Sequence, residues 1–179
     1  MKRASKRRRI LDAVQVAAIF ERFAKEMSRQ YASLDQVVFI GIRTRGPYVA
    51  RRLAAMIKKR YEKEIPVGEM DITLYRDDLN ALVPGGNIDH TRIPFDIASK
   101  IVVLFDDVLY TGRTVRAAVD HLIDLGRPRM IHLAVMIDRG GRELPIAANY
   151  VGKKIHLPGP GNVQVRLKEV DKSDEVLVE

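Results

Sequence analysis

Residues 101–119, IVVLFDDVLYTGRTVRAAV, carry the reading that decides the fold. An unbroken apolar run, Ile101–Phe105, meets two adjacent carboxylates, Asp106 and Asp107. A turn, Thr111-Gly112-Arg113-Thr114, and a helix-like segment follow. A short continuous apolar run bounded by turn residues reads as a strand buried on both faces. Strand, acid pair, turn and helix in that order predict one unit of an open parallel sheet, whose ligands bind outside the carboxyl ends of the strands. Leu109, Tyr110, Thr111, Gly112, Arg113 and Thr114 would offer backbone N–H groups and two threonine hydroxyls around one phosphate. Gly112 is free to take a positive φ or to let the backbone approach closely, and the helix start adds its own free N–H groups. Acids beside such a cradle suit a ligand that also carries sugar hydroxyls, a divalent cation, or both. Side chains alternate along an extended chain, so one of Asp106 and Asp107 can face the ligand while the other braces the loop.

Working outward, Val37–Ile42 reads as a second buried strand, ending in the turn Gly41-Ile42-Arg43-Thr44-Arg45-Gly46. Pro47 then suits the first position of a helix, with Leu53, Met56 and Ile57 on its apolar face and Arg51, Arg52, Lys58, Lys59 and Arg60 on its wet one. Leu11, Val14, Ala18, Phe23 and Met27 predict a helix from Ile10 to about Ala32. Alternation over Val67–Tyr75 predicts a half-exposed strand. Residues 76–95 lose all pattern and read as a long functional loop. A helix at Thr114–Leu125, closed by Gly126, a strand at Met130–Ile137, and weaker strands at Tyr150–Leu157 and Val163–Val170 complete the chain. The expectation is a basic tail, residues 1–9, before a single α/β domain, residues 10–179, with a central, mostly parallel twisted sheet flanked by helices.

Composition narrows the class. With 179 residues, 46% hydrophobic and 30% charged, the chain reads as one globular domain. It contains no cysteine, which excludes disulfides and thiolate metal sites and suits a reducing, cytoplasmic setting. Charges interrupt every apolar stretch, so neither a signal peptide nor a membrane span is expected. The net charge of +8 favours anionic partners, phosphorylated metabolites or nucleic acid, although Lys2–Arg9 also fits a solubilising tail. His90, His121, His132 and His156 lack metal-ligand spacing and read as structural or exposed. No Gly-x-Gly-x-x-Gly follows a strand, which disfavours a dinucleotide.

The segment Val102–Thr114 resembles the phosphoribosyl-diphosphate signature of type I phosphoribosyltransferases. More narrowly, four segments resemble the bifunctional pyrimidine operon regulator/uracil phosphoribosyltransferase family, PyrR: Gly41–Gly46, Asp71-Ile-Thr-Leu-Tyr-Arg-Asp-Asp-Leu79, Asp106–Thr114 and Asp138-Arg-Gly-Gly-Arg-Glu-Leu-Pro145. The resemblance implies that fold, with a small hood mainly from residues 138–170 and a flexible loop at about 76–95. It implies a reaction, uracil plus 5-phosphoribosyl diphosphate giving UMP and diphosphate, with Mg2+. It assigns Asp106 and Asp107 to the ribose hydroxyls and, indirectly, to the metal; Val108–Thr114 to the 5-phosphate; Thr44 and Arg45 to the diphosphate; Arg76 to the leaving group; and Arg139 with Val163 to the uracil ring. It also implies a homodimer or higher homo-oligomer and UMP-dependent binding to a pyrimidine-operon leader mRNA, for which Arg22, Lys25, Arg29, Arg51 and Arg52 are candidate basic contacts. Two segments depart from the family pattern: Gly141 stands where His is common, and Lys154-Ile-His-Leu-Pro-Gly-Pro160 where Asn-x-Pro-Thr-Ser is common.

Plainer readings compete at several positions. Thr44-Arg45 also fits an ordinary turn, Arg76-Asp77-Asp78 a solvated charge cluster, and Arg139 and Arg142 surface ion pairs. For the whole chain, the alternatives are transfer to another base without RNA regulation, purine or orotate among them, and a regulator with little catalysis.

Overall fold

The computed structural model describes residues 7–31, 33–73, 90–157, 159 and 161–179. Its elements are β1 (Arg8–Leu11), α1 (Ala13–Gln30), β2 (Val37–Ile42), α2 (Gly46–Tyr61), β3 (Val67–Met70), β4 (Ile101–Leu109), α3 (Arg113–Leu125), β5 (Met130–Asp138), β6 (Tyr150–Lys154), β7 (Val163–Arg166), the short α4 (Lys168–Asp171) and β8 (Glu175–Val178). Arg76 and most of the 76–95 segment lie outside the described residues.

β2 to β6 form one five-stranded sheet in the order β3-β2-β4-β5-β6, parallel throughout. Its central strands are buried on both faces because strand alternation sends apolar side chains both ways. Val37, Phe39, Ile101, Val103 and Phe105 join the core beneath α1 and α2. Val38, Ile40, Ile42, Val102 and Leu104 join the core beneath α3. Phe39 and Phe105 meet edge to face across β2 and β4, with ring centroids 4.8 Å apart.

The chain leaves β2 in one direction and β4 in the other, so the sheet order reverses between these two strands. Ligands bind at such a reversal in open α/β sheets. β4 also outlasts its neighbour. Pairing with β2 stops at Gly41 opposite Phe105, while pairing with β5 runs on to Leu109 opposite Asp138. The strand expected to end at Phe105 therefore carries Asp106–Leu109 as a half-paired extension. Continued hydrogen bonding to β5 is what keeps the acid pair extended.

A second, antiparallel sheet in the order β1-β8-β7 forms the hood. It corrects three expectations. Arg8–Leu11 is a strand paired with β8, so the first helix starts at Ala13 and Arg8 and Arg9 do not belong to a tail. The helix start is fixed by Asp12, whose side chain accepts the Gln15 N–H while the Gln15 side chain accepts the Asp12 N–H, a capping box. The hood draws on both ends of the chain, β1 and β8, as well as on β7. Tyr150–Lys154 belongs to the main sheet, and the segment expected as a strand to Val170 turns into α4 after Arg166. The strand expected over Val67–Tyr75 stops at Met70; Glu69 forms a bridge to Arg92 instead. No helix among the described residues is long and apolar enough to cross a membrane.

Candidate active site

The β4 extension and the turn before α2 border a cleft of about 450 Å³, lined by Arg43, Thr44, Asp71, Ile72, Thr73, His90, Asp106, Asp107, Val108 and Thr114. Two glycines bring its walls together. A Cβ on Gly46 would stand 2.3 Å from the Phe105 carbonyl oxygen, and one on Gly41 would stand 2.2 Å from the Pro47 nitrogen. The spacing of the Gly41–Gly46 turn thus lets α2 start against the end of β4. The Arg43–Thr44 peptide bond is cis.

Both acids border this cleft. Asp106 is 7% exposed, and its Oδ1 accepts the Asp107 N–H at 2.9 Å, while Asp107 Oδ1 accepts the Val108 N–H at 3.0 Å. Burial pushes the Asp107 carboxyl above its ordinary value, against the opposing pull of Asp106, the positive charge of Arg45 and the Val108 N–H. Burying a charge this way is costly unless a cationic or hydrogen-bonding ligand compensates it.

Next to the acids, Asp106 and Val108–Val115 enclose a smaller hollow of about 290 Å³. Gly112 takes φ +94 and begins α3, whose N-terminus carries no side-chain cap. The N–H groups after Arg113 in its first turn have no side-chain cap to compete with an anion, and the helix dipole favours negative charge there. Thr111 holds the turn through both backbone and side chain. Its carbonyl accepts the N–H groups of Glu143 and Leu144, and its hydroxyl accepts the Arg113 N–H. Arg113 Nε pairs with Glu143 at 2.7 Å, so the side chain of Arg113 is turned to the 138–146 loop.

That loop is organised by two arginines. Arg139, 6% exposed, lays its guanidinium 3.9 Å from the centre of the Tyr110 ring and donates to the carbonyls of Gly161 (2.5 Å) and Gly159 (3.3 Å). Arg142 pairs with Asp138 at 2.6 Å and donates to the carbonyls of Ile146 and Tyr110. Arg139 is thus buried against carbonyls and a ring, whereas Arg142 is half-buried and does form an ion pair. Tyr110 is 42% exposed, and a Cβ on Gly141 (φ +74) would come 2.5 Å from its ring. A side chain at position 141 therefore requires Tyr110 to move. Val163 is buried in β7, in the apolar cluster it shares with α1, α2 and the main sheet.

Of the expected site residues, Asp106, Asp107, Thr44 and Val108–Thr114 come together on the two adjoining hollows. Arg45 lies next to Thr44 in sequence, but its side chain turns to the hood and pairs with Asp171. Sequence reading missed Arg43, Asp71, Thr73 and His90 as cleft residues. The Asp71–Leu79 motif was the available signal for Asp71 and Thr73, whereas His90 offered none. Asp71 Oδ1 accepts both the N–H and the hydroxyl of Thr73. The basic residues proposed for RNA are partly engaged elsewhere. Arg22 donates to the carbonyls of Val151 and Gly152 on the edge strand β6, Arg51 pairs with Glu69, and Arg52 with Glu169 and Asp174. Lys25 and Arg29, exposed on α1, remain the better candidates.

The phosphoribosyl transferase domain family model matches residues 6–167. The bifunctional protein PyrR of Pelotomaculum thermopropionicum is 47% identical over 175 residues, covering 98% of this chain and 97% of that one. That of Chloroflexus aurantiacus is 50% identical, covering 96% and 94%. Among solved structures, a hypoxanthine-guanine phosphoribosyltransferase from Bacillus anthracis superposes with a TM-score of 0.63 at 17% identity, covering 83% of each chain. HGPRT-ase from Leishmania tarentolae in complex with GMP superposes with 0.65 at 11%, covering 96% and 95%. The superpositions establish the fold; the domain match and the relatives at close to half identity over nearly the whole length establish that this chain belongs to the phosphoribosyl transferase family and, within it, to the bifunctional PyrR proteins.

Proposed function

We propose that the chain transfers the phosphoribosyl group of 5-phosphoribosyl diphosphate to uracil, giving UMP and diphosphate, and that the same fold, sensing UMP, binds a leader mRNA to regulate transcription of pyrimidine biosynthesis operons in the cytoplasm. The observation that carries the reading is the joining of the Asp106–Asp107 pair to the Gly112 turn and the start of α3 on two adjoining hollows.

In this reading the amide-lined turn at Gly112 holds the 5-phosphate, and Asp106 and Asp107 hold the ribose hydroxyls. As the bond from the anomeric carbon to diphosphate lengthens, positive charge grows on the sugar. Carboxylates fixed by backbone N–H groups, and already burdened by burial, favour that charge without having to reorganise. Thr44, Arg45 and Arg76 serve the departing diphosphate, a guanidinium being a bidentate partner for such an anion. Arg139 and Val163, with the 138–146 loop, serve the base.

Magnesium fits the donors present. The cleft offers hard carboxylate oxygens and, among the described residues, no group of three or more metal-binding side chains. A hard divalent cation suits that donor set; bound there, it would neutralise charge on the diphosphate. Asp106 and Asp107 would reach it through water or ribose hydroxyls.

The regulatory half rests on the bifunctional relatives and on a net charge of +8, with a homodimer or larger homo-oligomer as the working assembly. Transfer to another base is the second reading. It is favoured by Gly141 packed beneath Tyr110 and by the glycine carbonyls that take up Arg139. Labelled phosphoribosyl diphosphate, incubated with a panel of bases, is expected to yield UMP, and filter binding to a pyrimidine-operon leader is expected to tighten with UMP. Label appearing only on a purine or orotate removes the uracil assignment, and affinity no better than for shuffled RNA at physiological salt removes the regulatory one.

A further inference from the structure

Arg45 stands where the hood meets the cleft. It separates Thr44, which borders the cleft, from Gly46, which is wedged against the Phe105 carbonyl. Its guanidinium is engaged along one edge by Asp171: Nη2 donates to Oδ1 at 3.0 Å and Nε to Oδ2 at 3.4 Å. Both side chains are shielded, 24% and 17% exposed. Asp171 ends α4 of the hood, and its Oδ2 also accepts the Leu167 N–H at 3.0 Å. The hood's own turn therefore sets the carboxylate's position independently of Arg45.

Two further facts separate this contact from plain anchoring. The hood is fastened to α2 by a second cation, Arg52, which pairs with Glu169 and Asp174 and lies over the Phe20 ring. The fastening persists whether or not the Arg45 pair is made. The charge of Arg45 also acts on Asp107 in the cleft. The guanidinium is thus bound to a hood carboxylate while the residue before Arg45, Thr44, borders the cleft. The edge that Asp171 occupies, Nε with Nη2, is the fork geometry by which arginine grips a phosphate.

We propose that Asp171 is a positioning residue that withholds Arg45 from the diphosphate subsite: a diphosphate group and the hood carboxylate compete for the same edge of the guanidinium. The proposal rests on the reading of Arg45 as a diphosphate ligand. It makes the hood a regulator of affinity for ligands that carry diphosphate, leaving monophosphate binding alone, because UMP places nothing at that subsite.

The test is calorimetry of the full-length chain with inorganic diphosphate and magnesium, and separately with UMP, for the wild type, Asp171→Asn, Asp171→Glu, Arg45→Gln and the double variant Arg45→Gln/Asp171→Asn. The Asn side chain still accepts the Leu167 N–H but carries no charge. It is expected to tighten diphosphate binding about fivefold, the scale of a partly shielded ion pair, with UMP affinity unchanged, Asp171→Glu near wild type, and no gain in the Arg45→Gln background. If Asp171→Asn does not fold, Asp171→Ser, whose hydroxyl can accept the same N–H, replaces it. Unchanged or weaker diphosphate binding in the folded variant overturns the competition, and the ligand role of Arg45 then stands if Arg45→Gln still weakens diphosphate. Wild-type diphosphate affinity in Arg45→Gln removes that ligand role and the proposal with it.

Discussion

The floor of the cleft and its hood are built in opposite ways. The floor is nine consecutive residues, Asp106–Thr114, shaped by one strand that outlasts its neighbour and one glycine at φ +94. The hood comes from Arg8–Leu11, Val163–Val178 and the 138–146 loop, and ion pairs tie it to the body: Arg45 with Asp171 and Arg52 with Glu169 and Asp174. A short loop between paired elements can hold charges in place with backbone alone. Segments far apart in sequence need side-chain contacts to hold their relative position. Changes to the floor should therefore strike turnover, and changes to the hood should strike stability and affinity.

The sharpest break of that contrast is Asp107→Asn. Turnover should fall about 10²–10³-fold, the scale for removing one preorganised charge at a transition state. The thermal midpoint should hold or rise slightly, since burial already disfavours the ionised carboxyl in the folded protein. Steady-state kinetics beside a calorimetric melt checks both. A variant with wild-type turnover would mean that the floor does not bear on the transition state.

Gly46→Ala tests where floor and α2 join. The added methyl would overlap the Phe105 carbonyl oxygen at 2.3 Å; both neighbours are backbone, so neither can swing away. The expected loss is about 1–3 kcal/mol, seen as a lower urea midpoint, together with weaker binding of phosphoribosyl diphosphate. A neutral midpoint would show that the turn yields easily.

The same contrast governs what could be read from the amino acids. Buried strands, the acid pair and the glycine turn were legible because each is contiguous and its pattern is local: Val37–Ile42, Ile101–Phe105 and Thr111–Thr114 declare themselves by hydrophobicity and turn chemistry. The β4 extension was not legible, since Asp106–Leu109 is held extended by β5, and pairing between strands leaves no mark in either strand's own composition. Arg8–Leu11 reads as tail and helix because its basic residues obscure a pair of apolar ones whose partner, β8, lies at the other end of the chain. The direction of Arg45 was equally hidden, for the same reason: Asp171 is distant in sequence. His90 reached the cleft without any sequence signal, carried there by the end of the irregular segment.

The smallest expected effect sharpens the hood side. Burial works against the ionised forms of Glu169, Asp171 and Asp174, but Arg52, Arg45 and local N–H groups outweigh it and hold all three carboxyls below their ordinary values. An acid whose folded value is depressed contributes stability that is fully present above its unfolded value. That contribution is lost as pH falls through the folded one, so the loss begins near the ordinary carboxylate range, around 3.8 to 4.5, and continues below it. Because these side chains keep some solvent, the contribution at neutral pH should be about 1 kcal/mol or less per pair. Urea midpoints measured from pH 6 down to pH 3 should fall more steeply for the wild type than for Glu169→Gln/Asp174→Asn. Parallel slopes would mean that the hood is held by apolar packing, Val165, Leu167, Val176 and Val178 sharing one core with α1 and α2, and that the ion pairs only set its orientation.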